Sequence, residues 1–578
     1  MSFVDSEVTA AQAICDVLEQ AGIDFVIGMP GGDVMHIFDA LYDRRKTIRT
    51  VLVRDEVSAG IMAEAYGRKT GRPAVVLAQG VWLLSNAALG AIEALTGSSP
   101  VIYLTDLSDK IPWSHHSPTQ TGTGHYGNWD SHLAFRGFMK EVMEAHDPIQ
   151  AVQLTQLAIK HATVGSPGPV CVVYYGGALK GKVGPASRPA LHASAGYLVP
   201  DLRQADEASL ARAVELLAAA KRPTIIAGNG VRFNGGTDAL LELAQTLSAP
   251  VVSTSAGKSV MAETNALSAG VVGDYGLEAA AAVLGEADVV LAVGTRLAPG
   301  DTLRQHPGLL DVHRQTLIQI DIEPRNVGWT HPVHCGLIGD AGTVMKELAA
   351  RLKKKSMSAA DGAARVQSAA KRGFFESVES ASDAVPILPQ RLIRELGAAL
   401  PANALVTSDA GENRIFMVHH FRSQSVNSYF QPGSTGGMGY AVPAALGVKL
   451  ARPDLPVVAV CGDGGFAMSL SGLMTALEEK LPITVVVMNN AMLGWVAHVQ
   501  GERRIASHLG RYDYAAIARA IGCRGVRVEN PANLRAALSD AMASNEVTVV
   551  EVMTSPEQTW EQVVCKVSAA GSQAAQTR

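Results

Sequence analysis

Cysteines, basic runs and long apolar segments are scarce in this sequence, and each shortage argues against a class of protein. The six cysteines lie far apart without a CxxC pair, which disfavours a disulfide framework and predicts free, mostly buried thiols in a reducing cytosol. The 49 basic and 54 acidic residues give a formal net charge of −5, so neither nucleic acid nor an anionic membrane is expected as the main partner. No uninterrupted apolar run reaches the roughly 18 residues of a membrane span. The N-terminus reads as an amphipathic helix rather than a signal peptide, so we expect a cytoplasmic protein.

What the sequence does contain is a repeated alternation of short apolar strands with helical patterns. This alternation is typical of α/β folds with parallel sheets covered on both faces. A chain of 578 residues is also too long for one hydrophobic core. We therefore expect three doubly wound domains with parallel sheets, over residues 1–183, 201–350 and 387–562. Residues 563–578 lack apolar periodicity and are expected to be a mobile tail or a lid.

The stretch "VVAVCGDGGFAM" ends a buried strand in one carboxylate, Asp463, surrounded by glycines. Ligands bind at the carboxyl ends of strands in open parallel sheets, and glycines there let backbone N–H groups approach an anion. The following strand, "ITVVVMNN", ends in Asn490, so adjacent strands would place the two side chains together. Carboxylate and amide oxygens suit Mg²⁺, which completes its shell with phosphate oxygens and water. The pair predicts a Mg²⁺–diphosphate site, and the alternative is a plain turn followed by a helix cap.

Together these segments resemble the binding signature of thiamine-diphosphate enzymes, in which a GDG motif is followed by NN. The similarity to the acetolactate synthase-like group extends over nearly the whole chain. It is carried, in order, by "FVIGMPGGDVMHIFDAL", "VRDEVSAGIMAEAYGRKTG", "RPTIIAGNGV" with "IQIDIEPRNVG", "GSTGGMGYAVPAALGVKLA" and the GDGG segment itself. The resemblance implies that the three domains are, in turn, pyrimidine-binding, central and diphosphate-binding.

The resemblance also implies the roles of individual residues. Glu56 would be catalytic, because its carboxyl group would hydrogen-bond the cofactor's pyrimidine and activate it. Asp463 and Asn490 would ligate Mg²⁺ through their side chains, and Met492 through its backbone oxygen. The remaining expected contacts to thiamine diphosphate are Gly436, Met438, Gly462, Gly464, Gly465, Leu493 and Gly494.

Two further expectations follow from the same resemblance. The active sites would lie at a subunit interface, so we expect a homodimer or a homotetramer. The central domain would present Gly228, Gly230, Arg296 and Asp321 to FAD or ADP. The same "GNG" and "DIE" segments would also persist in a Rossmann-like domain that had lost its nucleotide, so its occupant stays open between FAD, ADP and none.

The substrate half departs from the group. Where acetolactate synthases read "SGPGATN", this chain reads "GVWLLSN". Trp82, Leu83 and Leu84 are expected to line the substrate side of the cofactor with Gly31 and Trp495. Such a wall would favour a substrate larger or more apolar than pyruvate. The alternative is that these side chains only fill the space left by a missing loop.

The segment "HYGNWD" has Gly127 where the group keeps a substrate-side glutamine. His125 and Tyr126 precede that glycine, and we expect them to act as catalytic proton shuttles, with surface histidines as the plain alternative.

Three functions remain open at this point. The first is a 2-oxoacid decarboxylase or carboligase, and the second is a 2-hydroxyacyl-CoA lyase or an oxalyl-CoA decarboxylase-like enzyme. The third is a catalytically silent interaction subunit. The presence of Glu56, Asp463 and Asn490 argues against the third.

Overall fold

The computed structural model describes residues 3–109, 119–199, 202–356 and 361–565. Three six-stranded parallel sheets carry the fold, and helices connect their strands. This confirms the expected fold class. The predicted domain boundaries stay a prediction. Of the predicted tail, residues 566–578 lie outside the described part of the chain.

The first sheet has the order β3-β2-β4-β5-β7-β6, and a short antiparallel pair joins β1 to β8. Strand β5 is buried along its whole length, as expected for a central parallel strand. The strands and helices of this region are β1 (Val8–Thr9), α1 (Ala10–Gln20), β2 (Phe25–Gly28), α2 (Met35–Arg44), β3 (Arg49–Leu52), α3 (Glu56–Thr70), β4 (Ala74–Leu77), α4 (Gly80–Asn86), α5 (Ala88–Gly97), β5 (Val101–Leu107), α6 (Ser131–Arg136), β6 (Glu141–Ala145), α7 (Pro148–Thr163), β7 (Pro169–Tyr175) and β8 (Lys182–Val183).

The second sheet has the order β11-β10-β9-β12-β13-β14. Numbered from its own first strand this order is 3-2-1-4-5-6, the Rossmann arrangement, whose switch point lies between the first and fourth strands. Its elements are α8 (Glu207–Ala219), β9 (Pro223–Ala227), α9 (Gly236–Leu247), β10 (Val251–Ser253), β11 (Ser268–Val271), α10 (Glu278–Gly285), β12 (Val289–Val293), β13 (Thr316–Asp321), β14 (Cys335–Ile338), α11 (Ala341–Leu352) and α12 (Gly362–Ala370).

The third sheet has the order β16-β15-β17-β18-β20-β19. Numbered from its own first strand this is 2-1-3-4-6-5, the same order as in the first sheet. Its elements are α13 (Pro389–Ala399), β15 (Leu405–Ser408), α14 (Glu412–His420), β16 (Tyr429–Phe430), α15 (Ala441–Ala451), β17 (Val457–Gly462), α16 (Asp463–Met468), α17 (Ser471–Glu478), β18 (Thr484–Asn489), α18 (Gly494–Gln500), α19 (Tyr514–Ile521), β19 (Arg524–Val528), α20 (Leu534–Ala543) and β20 (Thr548–Met553).

The chain forms two compact units that do not follow the linear order of the sheets. The first unit comprises Met1–Asp201, Pro443–Pro453 and Ser469–Leu481, and the second unit contains the rest of the chain. Within the first unit, Ser471 Oγ donates to Asp55 Oδ2 at 2.6 Å, and Arg49 pairs with Glu479 at 2.8 Å. Helices from the C-terminal half are therefore part of the packing around the first sheet.

Helix α3 is the central helix of the first unit. The Asp55 side chain caps its N-terminus by accepting from the Ser58 N–H at 2.7 Å, and Gly71, with φ of 70°, ends it in the left-handed conformation. Inside the helix, buried Arg68 pairs with Glu64 of the same helix and with Glu93 of α5. A buried arginine needs such partners, so this cluster fixes how α3 and α5 pack.

Two general expectations can be compared with the described residues. All six cysteines are buried and unpaired, as predicted. None of the helices in the described residues is long and apolar enough to cross a membrane.

Candidate active site

A cavity of about 360 Å³ opens in the second unit at the carboxyl ends of β15, β17 and β18. Parallel sheets place their ligand sites at this edge. The cavity gathers every metal and cofactor residue predicted for the C-terminal sheet, together with the predicted substrate residue Trp495. Those residues are Gly436, Met438, Gly462, Asp463, Gly464, Gly465, Asn490, Met492, Leu493, Gly494 and Trp495.

Asp463 is the acidic group at the end of β17. Its side chain is only 2% exposed, and its Oδ1 accepts from the Gly464 N–H at 2.8 Å. Its Oδ2 is buried and has no hydrogen-bond partner among the described residues. Burial raises the pKa of Asp463 to about 6, because the charged carboxylate has lost its hydration. An unpaired buried carboxylate oxygen of this kind fits a cation.

The donor set around Asp463 is made of hard oxygens. Asn490, whose Oδ1 accepts from the Met492 N–H at 3.2 Å, lines the same cavity. No group of three or more His, Cys, Asp or Glu side chains in the described residues is arranged to hold a metal. A cation here would therefore use one carboxylate, an amide oxygen and backbone oxygens, which suits Mg²⁺ rather than zinc.

Glycines surround Asp463 because larger residues do not fit. A Cβ on Gly464 would lie 2.8 Å from Leu493 Cδ2 and 3.1 Å from Met438 Cε. A Cβ on Gly465 would lie 2.7 Å from Asp409 Oδ1. The missing side chains thus leave room for a bound group close to this backbone.

Asp409 holds the loop that carries Met438. Its fully buried carboxylate accepts from the Gly439 N–H and the Ala441 N–H, both at 2.9 Å, and from the Ala410 N–H at 2.8 Å. Burial nevertheless raises its pKa to about 6. Sequence reasoning missed this residue, although an aspartate at the end of a buried strand, in "VTSDAG", was the available signal.

The first unit holds the predicted catalytic glutamate. Glu56 is the first residue of α3, follows the end of β3 after a three-residue connection (residues 53–55), and is only 6% exposed. Its Oε2 accepts a hydrogen bond from Asn86 Nδ2 at 2.7 Å. Sequence reasoning also missed Asn86, the final residue of "GVWLLSN" and the one it shares with "SGPGATN".

Comparison with known proteins places these two sites in one family. Three domain models match this chain in order. They are the N-terminal TPP binding domain of thiamine pyrophosphate enzymes over residues 8–123, their central domain over 210–348 and their C-terminal TPP binding domain over 409–552. An acetolactate synthase of Mycobacterium bovis is 30% identical over 584 residues, covering 97% of this chain and 91% of that protein. The chain belongs to the acetolactate synthase-like family of thiamine-diphosphate enzymes.

Other relatives show the breadth of this family. A probable acetolactate synthase large subunit of Methanocaldococcus jannaschii is 29% identical over 563 residues, covering 94% of this chain and 92% of its own. A sulfoacetaldehyde acetyltransferase of Alcaligenes xylosoxydans xylosoxydans is 28% identical over 587 residues, covering 95% and 94%. This chain is accordingly an enzyme, and the recognition made from its motifs is confirmed.

The substrate residues predicted in this thiamine-diphosphate enzyme lie on a helix rather than a loop. Trp82, Leu83 and Leu84 belong to α4, in which consecutive side chains point about 100° apart. Trp82 is 51% exposed, Leu83 is buried and Leu84 is half-buried. The three side chains therefore point in different directions, and a substrate contact of Trp82, Leu83 and Leu84 remains a prediction.

The other predicted substrate and proton-transfer residues lie on loops of the first unit. Gly31 lies beside Gln79, whose Oε1 would be 3.1 Å from a Cβ at that position. His125 and Tyr126 lie in an exposed turn, and the Tyr126 side chain is fully exposed in the single chain. Their catalytic role also remains a prediction.

The four predicted nucleotide residues lie at the ends of three adjacent strands of the central sheet, β9, β12 and β13. Gly228 and Gly230 follow β9, where the Gly230 N–H donates to the Gly294 carbonyl at 3.0 Å. Asp321 ends β13 and accepts at Oδ1 from the Glu323 N–H at 3.0 Å. Burial raises the pKa of Asp321. Arg296, half-buried, follows β12, so Gly228, Gly230 and Arg296 flank the switch point and Asp321 lies one strand away; their role toward a nucleotide remains a prediction.

Proposed function

We propose that this enzyme is a 2-oxoacid decarboxylase or carboligase that uses thiamine diphosphate and Mg²⁺ and prefers a substrate larger or more apolar than pyruvate. The observation that carries the proposal is the cavity in which the unpaired Asp463 Oδ2, Asn490 and Met438 converge. Thiamine diphosphate, when bound, supplies the chemistry for making or breaking a carbon–carbon bond next to a carbonyl group.

Different residues of the chain would bind Mg²⁺, bind the diphosphate and support the ring system of the cofactor. Asp463 Oδ2, the Asn490 side chain and the Met492 backbone oxygen would hold Mg²⁺, as their position in the cavity supports. Backbone N–H groups of the glycines beside Asp463, with those of Leu493 and Gly494, would bind the diphosphate. The N–H groups of Gly464 and Leu493 would then exchange their present acceptors, Asp463 Oδ1 and the Ser507 carbonyl, for diphosphate oxygens. The apolar Met438 side chain would support the cofactor from below, because methionine adapts its shape to a ring system.

Glu56 would hold the proton that the pyrimidine shares. Asn86 donates to its Oε2 and so fixes the orientation of the carboxyl group, leaving Oε1 for the cofactor. In a homodimer or homotetramer, Glu56 of one subunit would meet the cavity of another.

FAD or ADP would occupy the switch point formed around Gly228 and Asp321. We also propose a cytoplasmic location.

Two features of the cavity support an anionic substrate with an apolar substituent. Arg414 is the single arginine or lysine among the described residues that line it, and its Nη1 donates to the Pro432 carbonyl at 3.0 Å. No carboxylate among the described residues pairs with it, so its charge is available to an anion. Tyr275 and Trp495 add aromatic wall area, which favours an apolar group larger than methyl.

The names of the relatives favour transfer of an acyl unit over simple decarboxylation. One relative is named for the synthesis of acetolactate, and another is named as an acetyltransferase. A 2-hydroxyacyl-CoA lyase or oxalyl-CoA decarboxylase-like activity is the second candidate. The observation that favours it is the Rossmann strand order of the central sheet, which would suit ADP.

The test is a product assay with the full-length protein, thiamine diphosphate and Mg²⁺. Pyruvate, 2-oxobutyrate, 4-methyl-2-oxopentanoate and phenylpyruvate are supplied singly and in pairs, and CO₂ and coupled products are measured by mass spectrometry. The Glu56→Gln variant serves as the matched inactive control. CO₂ release with a preference for the larger oxoacids is expected. Formyl-CoA and an aldehyde from a 2-hydroxyacyl-CoA, without CO₂ from any oxoacid, would replace the proposal with the second candidate.

A further inference from the structure

Residues 554–565 form a segment, here named the strap, that runs on from β20 and borders the cavity. At its start, the Thr554 N–H donates to the Asn489 carbonyl at 2.9 Å. At its end, the Cys565 N–H donates to the Asp274 carbonyl at 3.0 Å, and Cys565 is buried in the core of the central region. The strap is thus anchored at one end to β18 of the third sheet and at the other to the turn that follows β11 of the second sheet.

The strap supplies an aromatic ring that packs behind the cavity wall. Trp560 stacks on Trp495, with ring centroids 4.8 Å apart and planes inclined by 28°. Tyr275 meets the other side of Trp495 edge-on, at 5.9 Å. Trp495 and Tyr275 line the cavity, as does Gln558 of the strap. The position of Trp495, and hence the shape of this wall, depends on Trp560.

A buried contact between Glu412 and His498 holds the backbone of Trp560 in place. Oε1 of Glu412 accepts a hydrogen bond from the backbone N–H of Trp560 at 3.0 Å. The same oxygen lies 2.6 Å from Nδ1 of His498. The other ring nitrogen of His498 lies 2.9 Å from the Pro556 carbonyl, which can only accept, so that nitrogen carries a hydrogen. A second hydrogen must lie between His498 and Glu412. The pair therefore binds the strap at two points, Pro556 and Trp560.

Glu412 links this network to the cavity. Its carboxyl group is buried, lines the cavity and would overlap any side chain at Gly494. Burial raises the pKa of Glu412, and the hydrogen bond with His498 opposes that rise. A buried carboxyl group with two donors on one oxygen is costly to displace, so the network resists movement of the strap.

We infer that the strap determines the substrate selectivity of this enzyme: Trp560 fixes Trp495 as the cavity wall, and Glu412 is the positioning residue that holds Trp560. The inference rests on the function proposed above, since the selectivity in question is that among its substrates. The wall selects by shape, because a fixed aromatic ring excludes bulky substituents that a mobile ring would admit.

The first experiment reads the tryptophan pair without any turnover. Two stacked indoles couple their electronic transitions and give a paired signal of opposite sign in the circular dichroism spectrum. Trp560→Leu is expected to abolish this couplet, whereas replacing the exposed Trp329 by leucine should leave it intact. Glu412→Ala is expected to weaken the couplet, and Glu412→Gln, which keeps an acceptor for the Trp560 N–H, should restore it. A couplet unchanged in Trp560→Leu would refute the pairing.

The second experiment measures selectivity as the ratio of kcat/KM for phenylpyruvate to that for pyruvate. In Trp560→Leu this ratio should rise about tenfold, the lower end of the range for one altered apolar contact. Glu412→Ala should shift it in the same direction, and Trp560→Phe should stay near the wild type. A ratio within about twofold of wild type in Trp560→Leu, with the couplet lost, would overturn the inference.

Activity of the wild type distinguishes a failure of this inference from a failure of the proposed function. If the wild type turns over no oxoacid, the proposed function fails, and the same ratio is then measured with long and short 2-hydroxyacyl-CoA substrates. Titration of each variant with thiamine diphosphate and Mg²⁺ provides the control for the cofactor. Affinity should match wild type in the Trp560 variants, so that a loss of cofactor binding would itself count against a role confined to selectivity.

Discussion

The first and third sheets share the strand order 2-1-3-4-6-5, and each buries an aspartate at or beside the end of a central strand. Asp106, near the end of β5, and Asp463, just after β17, are each 2% exposed. Each leaves one buried oxygen without a partner among the described residues, and burial raises each pKa to about 6. The two carboxyl groups are therefore closely matched in burial and charge.

Their surroundings differ. Asp463 faces a cavity among glycines and lies near a second oxygen donor, Asn490. Asp106 accepts at Oδ2 from the Asp33 N–H, and any side chain at Gly32 would overlap that same oxygen. The comparison teaches that strand order alone does not make a cofactor site. The same topology provides a diphosphate site only where the neighbouring strand ends supply space and further ligands.

The largest effect should come from Asp463→Ala. We expect Mg²⁺-dependent binding of thiamine diphosphate to be lost, because the diphosphate would face a site without its metal ligand. Calorimetric titration measures this, with Asp106→Asn as the matched variant that removes the corresponding carboxylate from the first sheet. Wild-type affinity in Asp463→Ala, or equal losses in both variants, would break the distinction between the two aspartates.

The second largest effect should come from Glu56, the first residue of α3 in the first unit. Glu56→Gln keeps the shape and one acceptor for Asn86 but removes the ionisable carboxyl group. We expect exchange of the C2 proton of bound thiamine diphosphate to slow by about 100-fold or more, while the cofactor still binds. Hydrogen–deuterium exchange followed by NMR provides the measurement. An unchanged exchange rate would contradict the role proposed for Glu56.

A smaller effect concerns Asp106 and the stability of the fold. Burial raises its pKa from 3.8 to about 6, so the protonated form is the one favoured by folding. Its stabilising contribution is complete below pH 3.8 and is lost as the pH rises through about 6. The shift corresponds to roughly 3 kcal/mol of unfolding free energy at neutral pH. Asp106→Asn, which cannot ionise, should escape that loss.

Urea unfolding at pH 4 and pH 7 tests this expectation. The free energy of unfolding should fall more between these two values in the wild type than in Asp106→Asn. Equal falls in both proteins would show that Asp106 is not the buried acid described here, and the match with Asp463 would then fail.

The smallest effect should come from Trp82, the exposed residue of α4. If it contacts substrate in the assembled enzyme, Trp82→Ala should shift the relative kcat/KM among oxoacids by roughly 1–3 kcal/mol, the range for one apolar contact. Cofactor affinity should not change. If the relative kcat/KM values of Trp82→Ala match those of the wild type, Trp82 does not determine selectivity. Selectivity would then depend on residues of the C-terminal half, where the strap lies.

That the residues predicted at the end of the C-terminal sheet line one cavity follows from their local spacing. A buried strand ending in Asp463 and the next ending in Asn490 need only the rule that parallel strands end at one edge. Three other pairings depend instead on contacts between distant segments. They are Asn86 with Glu56, Asp409 with the Met438 loop, and Glu412 with the strap. Such pairings follow from tertiary packing, which no local pattern encodes. The "GVWLLSN" segment shows a related limit, since adjacent letters do not reveal that a helix points their side chains in different directions.

The make-up of the first compact unit has a consequence for recombination between relatives. Helix α3, which begins with Glu56, packs against Gly447, and its cap Asp55 is bound by Ser471, so residues far apart in the gene form one core. A chimera that exchanged only residues 1–201 would bring in a foreign surface for Pro443–Pro453 and Ser469–Leu481. These two segments flank the Asp463 motif, so a viable exchange of the Glu56 domain must also carry them. An exchange that preserves the packing of α3 therefore also brings in the chain on both sides of Asp463.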